Sequence, residues 1–266
     1  MTRIIVITSG KGGVGKTTIT ANLGMTLAKM GHRVALVDGD FGLRNLDLLL
    51  GLENRVVYTA VEVLAGECRL DQALVRDKRQ PKLALLPATQ NRKAEMITPN
   101  HMKWMIGELA PQFDYILIDS PAGIESGFKN AIAAAQEAII ITTPEVSAVR
   151  DADRVIGLLE ANNVRPARLI VNRLRPSMVE ASEMMSVADV TELLAIQLVG
   201  VVPEDERVIT STNTGEPLVL EVNSTSRANK AFDNIARRIC GEKVEFMELG
   251  VDRDNLLTRI RKIFTK

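Results

Sequence analysis

Residues 10–18, Gly-Lys-Gly-Gly-Val-Gly-Lys-Thr-Thr, hold the most legible chemistry in this chain. Gly10, Gly15, Lys16 and Thr17 fit the phosphate-binding spacing G-x-x-x-x-G-K-[ST]. Gly10, Gly12, Gly13 and Gly15 let successive backbone N–H groups turn toward one anion with no Cβ in the way, and Val14 and Thr18 complete the loop. Lys16 is placed to reach the β- and γ-phosphates, and the Thr17 hydroxyl to ligate Mg²⁺. The flanks agree: the apolar run Ile4–Ile7 precedes the loop, and a helical pattern from Thr17 to Met30, closed by Gly31, follows it.

Carboxylates stand where such a loop needs them. Val34–Val37 runs into Asp38-Gly39-Asp40, and Tyr115–Ile118 runs into Asp119 and then Ser120-Pro121-Ala122-Gly123. An apolar strand ending in Asp is the arrangement that holds Mg²⁺, here through a metal-bound water, because this ion keeps much of its hydration shell. Asp40 is read as orienting the attacking water, and Asp38 as supporting the metal shell or Lys16. Gly123 is expected to offer a backbone N–H to the γ-phosphate. Each acid also has a plainer reading as a helix N-cap or turn carboxylate. For the base, Asn172 carries the amide pair that reads a purine edge, with backbone groups around Pro203 and Asp205 completing the pocket. The chain has no N-K-x-D to select guanine, which favours ATP.

Positioning these groups requires a particular scaffold. Short β-branched runs (4–7, 34–37, 83–86, 115–118, 139–141, 169–171 and 199–202) alternate with helical patterns over 17–30, 100–110, 127–136, 147–161, 186–194 and 226–240. That alternation predicts an α/β fold, a mostly parallel twisted sheet with helices on both faces, with ligands at the carboxyl ends of its strands. The expected organisation is an ATPase domain over 1–240, an acidic linker over 241–254 and a terminal helix over 255–266.

The chain has 33 basic and 33 acidic side chains, a balance that argues against a bulk electrostatic nucleic-acid binder. Its two cysteines, Cys68 and Cys240, form no C-x-x-C and read as plain thiols of a reducing compartment. His32 and His101 read as isolated surface or capping residues, and Trp104 as packed. The N-terminus enters a strand at once, so a cytoplasmic location is expected.

The terminal residues are different. Leu256, Leu257, Ile260, Ile263 and Phe264 fall on one helical stripe, while Arg259, Arg261, Lys262 and Lys266 populate the other face. This pattern suits a helix lying in an anionic membrane interface, the alternative being a helix docked on the core. Interfacial burial and charge attraction together roughly match the ordering cost of a dozen residues, so one tail is marginal. Two tails on one dimer would gain about 10²–10⁴ in avidity.

Lys11, just after the first glycine, occupies a position the general motif leaves free. With that lysine the string 9–18, SGKGGVGKTT, resembles the ParA/MinD family of deviant Walker A P-loop ATPases. DGDFGLRNLDLLLG (38–51), IDSPAGIE (118–125), TTPEVSAVRDADRVIGLLE (142–160) and GVVPEDE (200–206) extend the resemblance over nearly the full chain, to the branch that places bacterial and plastid division septa. The resemblance implies that Lys11 reaches a partner's nucleotide in an ATP-dependent homodimer, and that Arg150, Asp151 and Asp153 lie where dimer and partner surfaces meet. It also implies reversible attachment to the cytoplasmic face of the inner membrane, recruitment of the division inhibitor MinC and release by MinE-stimulated hydrolysis. The short 161–168 segment departs from the family pattern. Two related readings use the same engine: a partition ATPase that holds DNA, against which the tail counts, and a flagellar-placement relative, which usually carries an N-terminal extension. A cluster-carrying iron protein would need a bridging cysteine pair that Cys68 and Cys240 do not offer.

Overall fold

The computed structural model describes residues 1–41, 43–89 and 96–249. Eight strands form one sheet in the order β3-β4-β2-β5-β1-β6-β7-β8. They are β1 (Arg3–Thr8), β2 (Val34–Asp38), β3 (Val75–Arg76), β4 (Leu83–Leu86), β5 (Tyr115–Asp119), β6 (Glu137–Thr142), β7 (Ala167–Leu174) and β8 (Gln197–Pro203). All pairings are parallel except that of β3 with β4, in which Val75 opposes Leu85. The seven sequence-predicted strands are all present. A two-residue antiparallel edge such as β3 is too short to show any periodicity.

The helices are α1 (Lys16–Lys29), α2 (Leu46–Leu49), α3 (Ala60–Leu64), α4 (Leu70–Ala73), α5 (Pro99–Leu109), α6 (Ser126–Ile132), α7 (Val146–Ala161), α8 (Pro176–Glu180), α9 (Val187–Leu194), α10 (Glu206–Thr214) and α11 (Arg227–Ile239). They cover both faces, and alternate residues of each strand feed two separate cores. On one face Ile4, Val6, Ile116 and Ile118 pack with Met102, Met105, Phe128, Val155 and Leu159. On the other, Ile5, Ile7, Leu36 and Leu117 pack with Ile19, Leu23, Leu27, Phe232 and Ile235. Burial on both faces explains why the strands read as unbroken apolar runs.

Several expectations change. The helix expected over 127–136 ends at Ile132, because the Gln136 N–H is taken by the carbonyl of Ile4 and the chain turns into β6. Trp104 is exposed rather than packed: Met102, Met105, Ile106 and Leu109 form the inward stripe of α5, and position 104 lies off it. His101 does cap, accepting the Thr98 N–H and closing a capping box. His32 is less isolated than expected, with its ring edge-on to Tyr115 and its Nε2 3.5 Å from the Cys240 sulfur.

The stretch 241–249 is not a free linker. Arg238 donates to the carbonyls of Val244 at 2.9 Å and Glu245 at 2.7 Å, and its guanidinium lies 4.0 Å from the Phe246 ring centroid. Leu249 is buried, so the folded unit runs to that residue. The remainder of the acidic stretch and the stripe of Leu256, Leu257, Ile260, Ile263 and Phe264 lie outside the described residues.

Candidate functional site

The phosphate loop leaves β1 at Thr8 and enters α1 at Lys16. Gly13 and Gly15 have φ of +77° and +94°, conformations that L side chains rarely adopt. Gly10 is required for a second reason: a Cβ there would collide with the backbone of Asp151 in α7. Gly15 caps α1 with no side-chain acceptor, so the first N–H groups of the helix are left for an anion.

Lys16 is buried beside Asp119 and Asp40. Burial pulls its ammonium below the usual lysine value, and the two carboxylates oppose that pull. Asp119 is also buried, at the end of β5. Burial pushes its carboxyl up to about 6, against hydrogen bonds from the Thr17 and Thr20 hydroxyls and the charge of Lys16. Thr20 donates to Asp119 Oδ1 at 3.1 Å. It lies one helical turn beyond Lys16, a spacing that could have marked it in the sequence. The hydroxyl of Thr17 backed by Asp119 is a small oxygen donor set that suits an ion retaining most of its water, as Mg²⁺ does. Among the described residues no group of three or more His, Cys, Asp or Glu is placed to hold a metal ion.

Asp38 lies in register beside Asp119 on the neighbouring strand. Its carboxyl is well above the ordinary value, first through burial and then through the charge of Asp119. Both of its oxygens accept backbone N–H groups, from Asp40 at 3.1 Å and from Leu46 at 3.3 Å. Asp38 therefore ties the end of β2 to the start of α2. Gly39 allows the close approach, since its N–H bonds the Asp119 carbonyl at 2.9 Å and a Cβ would collide with that oxygen. Asp40 is half-buried, and burial raises its carboxyl above the ordinary value against the opposing charge of Lys16. The Gly123 N–H, expected at the γ-phosphate, bonds instead to the Ser9 carbonyl at 3.3 Å.

Lys11 folds onto its own chain. Its Nζ donates to Ser147 Oγ at 3.0 Å and lies 3.7 Å from Glu145, at the N-terminus of α7. Arg150 and Asp153 of the same helix line an open groove of about 340 Å³ with Val146, Val149 and Leu193. Asp151 presents its backbone to Gly10 and its carboxylate to Arg154.

Asn172, Pro203 and Asp205 do come together, lining a cavity of about 160 Å³ that opens beside Gly15 and Thr18. Arg173, at φ +56°, is the extra residue of a β-bulge: Asn172 pairs with Val202 and Leu174 with Pro203. The Asn172 amide is partly committed, because its Nδ2 donates to the Val14 carbonyl at 2.7 Å and so braces the phosphate loop. Asp205 spends its side chain capping α10 and accepting from Ser226. Val208 and Ile209 of α10 form a wall that sequence reasoning missed. Helix α10 buries no residue and so shows no apolar stripe, although Asp205 and Gly215 mark its two ends.

Residues 5–218 match the CobQ/CobB/MinD/ParA nucleotide binding domain family. The chain is 64% identical over 264 residues to a putative septum site-determining protein MinD of Guillardia theta, covering 99% of this chain and 98% of the relative. It is 60% identical to the septum site-determining protein MinD of Synechocystis sp., with 98% of each covered. Among solved structures, the MinC:MinD cell division protein complex of Aquifex aeolicus superposes with a TM-score of 0.86 at 47% identity, over 93% of this chain and 100% of that one. MinD of Pyrococcus horikoshii, complexed with Mg-ADP, gives 0.82 at 33% identity over 90% and 96%. The phosphate loop, the paired strand-end carboxylates and this full-length similarity agree: the chain belongs to the septum site-determining MinD family of P-loop nucleotide-binding proteins.

Proposed function

We propose that this protein is an ATPase that dimerises with ATP, attaches to the cytoplasmic face of the membrane through residues 255–266, and recruits a MinC-type division inhibitor. A MinE-type activator would stimulate hydrolysis and release it. The observation that carries the reading is the convergence of Lys16, Thr17, Asp40 and Asp119 at one end of β1, β2 and β5, beside a cavity sized for one base. The Aquifex structure of MinC with MinD supports the inhibitor as partner.

In this mechanism the loop N–H groups and Lys16 hold the terminal phosphates in place. Thr17, with Asp119 next to it, would hold Mg²⁺, which would offset their charge. Asp40 orients water toward the γ-phosphate. The Gly123 N–H leaves Ser9 to reach the nucleotide, a short movement that links occupancy to the loop after β5. Lys11 leaves Glu145 and Ser147 to reach a partner's phosphate across the dimer. Asn172 holds the loop in shape through Val14 while its carbonyl faces the base.

Vesicle sedimentation tests the whole scheme. Wild type should sediment with anionic vesicles only with ATP, and Asp40→Ala should remain bound because hydrolysis no longer resets it. Ile260→Glu, which places a carboxylate in the apolar stripe, should stay soluble even with a non-hydrolysable analogue while still dimerising. Equal sedimentation of Ile260→Glu and wild type would make the tail a docked helix.

A further inference from the structure

Helices α8, α9 and α11 leave a cavity of about 260 Å³ against β8, the strand at one edge of the sheet. Leu174, Val179, Val187, Leu198 and Val201 form much of its wall, and Phe246, Met247 and Leu249 close one side. An apolar cavity of about 150 Å³ takes a benzene ring, so this one has room for more than one apolar side chain. Ala231, Asn234 and Arg238 reach it from one stripe of α11. Asn234 is only 7% exposed, and its carboxamide has no hydrogen-bond partner among the described residues. The other polar side chains of the wall are engaged. Arg238 donates to the carbonyls of Val199, Val244 and Glu245, Ser186 to Asp189, and Thr191 to the Val187 carbonyl. A buried amide left over in an apolar wall calls for a ligand that brings both apolar side chains and a polar backbone, as a peptide does.

Two observations select the peptide. Leu249 is itself part of the wall, so the chain that follows leaves from the cavity. Residues 250–255 give enough length to bring the stripe of Leu256, Leu257, Ile260, Ile263 and Phe264 back to it. Charge matches as well. Residues 176–206 contain no lysine or arginine, and Glu180, Glu183, Asp189 and Glu192, on or between α8 and α9, are all exposed. Residues 255–266 carry Arg259, Arg261, Lys262 and Lys266 and no acid. We propose that, away from a membrane, the apolar stripe of residues 256–264 docks in this cavity of its own chain, with its basic side chains toward α8 and α9. Within one chain the effective concentration of the tail is in the millimolar range, so weak contacts suffice. The acidic helices then stand in for anionic lipid, and cavity and membrane compete for the same side chains. This rests on the membrane attachment proposed above and adds the site that shelters the tail without it.

The tests use the full chain. In nucleotide-free protein without lipid, NMR signals of the Asn234 carboxamide and the Val187 and Val201 methyls should differ between wild type and the double variant Ile260→Glu, Phe264→Glu. Those of Val63, on α3, should not. Identical cavity signals overturn the proposal. Cross-linking reads the competition. With Cys68 and Cys240 replaced by Ser, a short bismaleimide should join the thiols of Ala188→Cys and Ile260→Cys within one chain. It should do so about tenfold faster than it joins Lys129→Cys, on α6, to the same tail position. Equal rates mean an unanchored tail and overturn docking; products that join two chains assign the cavity to a second copy and overturn it too. With a non-hydrolysable ATP analogue, the cross-linked protein should bind phosphatidylglycerol vesicles about tenfold less than the same protein left uncross-linked. Equal binding overturns the competition between cavity and membrane. Thermal melting checks that each variant remains folded. If wild type ignores vesicles, the membrane reading fails, and the NMR signals and cross-linking rates still decide the cavity.

Discussion

At the carboxyl ends of β2 and β5, Asp38 and Asp119 lie side by side with Lys16 and Asp40 near them, and burial drives both strand-end carboxyls upward. At the amino end of β1, Arg3 and Arg168 close on Glu137, and its carboxyl lies below the ordinary value because the arginines outweigh the upward push of burial. One end is thus electrostatically incomplete and the other complete within itself. Two strand-end carboxylates in register are costly without a cation, and the cost falls when a divalent ion and its phosphates arrive. The amino end needs no ligand, because Glu137 and backbone carbonyls already take up Arg3, Arg168 and Arg238. This contrast locates where ligand binding can change the protein.

The largest effect separates two lysines. Lys16→Ala should abolish ATP binding, because the buried ammonium that offsets Asp119 and Asp40 is lost just where phosphate charge is added. Lys11→Ala should keep affinity within a few fold, since Lys11 rests outward on Ser147 and Glu145, and should lose ATP-dependent dimerisation. Fluorescent-nucleotide titration with analytical ultracentrifugation reads both. Equal losses of affinity would break the distinction between a lysine for its own site and one for its partner's.

A smaller effect follows from Asp119, with its carboxyl at about 6. Above that pH it is ionised and able to hold the hydrated metal; as pH falls from 7 toward 5 it protonates. The Mg²⁺-dependent part of nucleotide affinity should then drop about tenfold, while binding in EDTA changes little. For the metal-free protein the linkage has the opposite sense. The folded value lies above the ordinary 3.8, so ionisation costs stability above about 6 and that cost disappears as pH falls toward 4. Asp119→Asn should flatten both profiles, as isothermal titration and thermal melting across this range would show.

The sequence made the loop and the strand-end acids legible because each rests on a local rule: spacing for Gly10 to Thr17, and an apolar run closing on Asp for Asp38 and Asp119. What it hid depends on neighbours distant in the chain. No local pattern says that Asn172 braces Val14 across 158 positions, or that Asp38 ties down Leu46. The strap over 244–249 was hidden for the same reason. Val244, Phe246, Met247 and Leu249 alternate there with two glutamates over too few residues to show a period, and it joins the fold through the Arg238 guanidinium, donating from α11, and the burial of Leu249. The arginines of the amino end were scattered at 3, 165, 168 and 238, and the starts of β1 and β7 with the end of α11 gather them at one edge without leaving a motif.

The smallest effect tests whether the two ends are independent. Arg3→Ala removes a bidentate bond to Glu137, a bond to the Ile239 carbonyl and a contact 5.4 Å above the Tyr115 ring. Glu137 keeps Arg168, so the carboxylate is not left alone. The expected loss is about 1–3 kcal/mol of stability, the range for breaking a charged hydrogen-bonded pair at a partly buried site. Nucleotide affinity should stay within about twofold, because the six residues of β1 separate Arg3 from the loop by roughly 17 Å. Urea unfolding with and without ATP reads both quantities in one experiment. A large loss of affinity at unchanged cooperativity would mean that β1 transmits strain from one end to the other, and that the amino end does more than hold the sheet together.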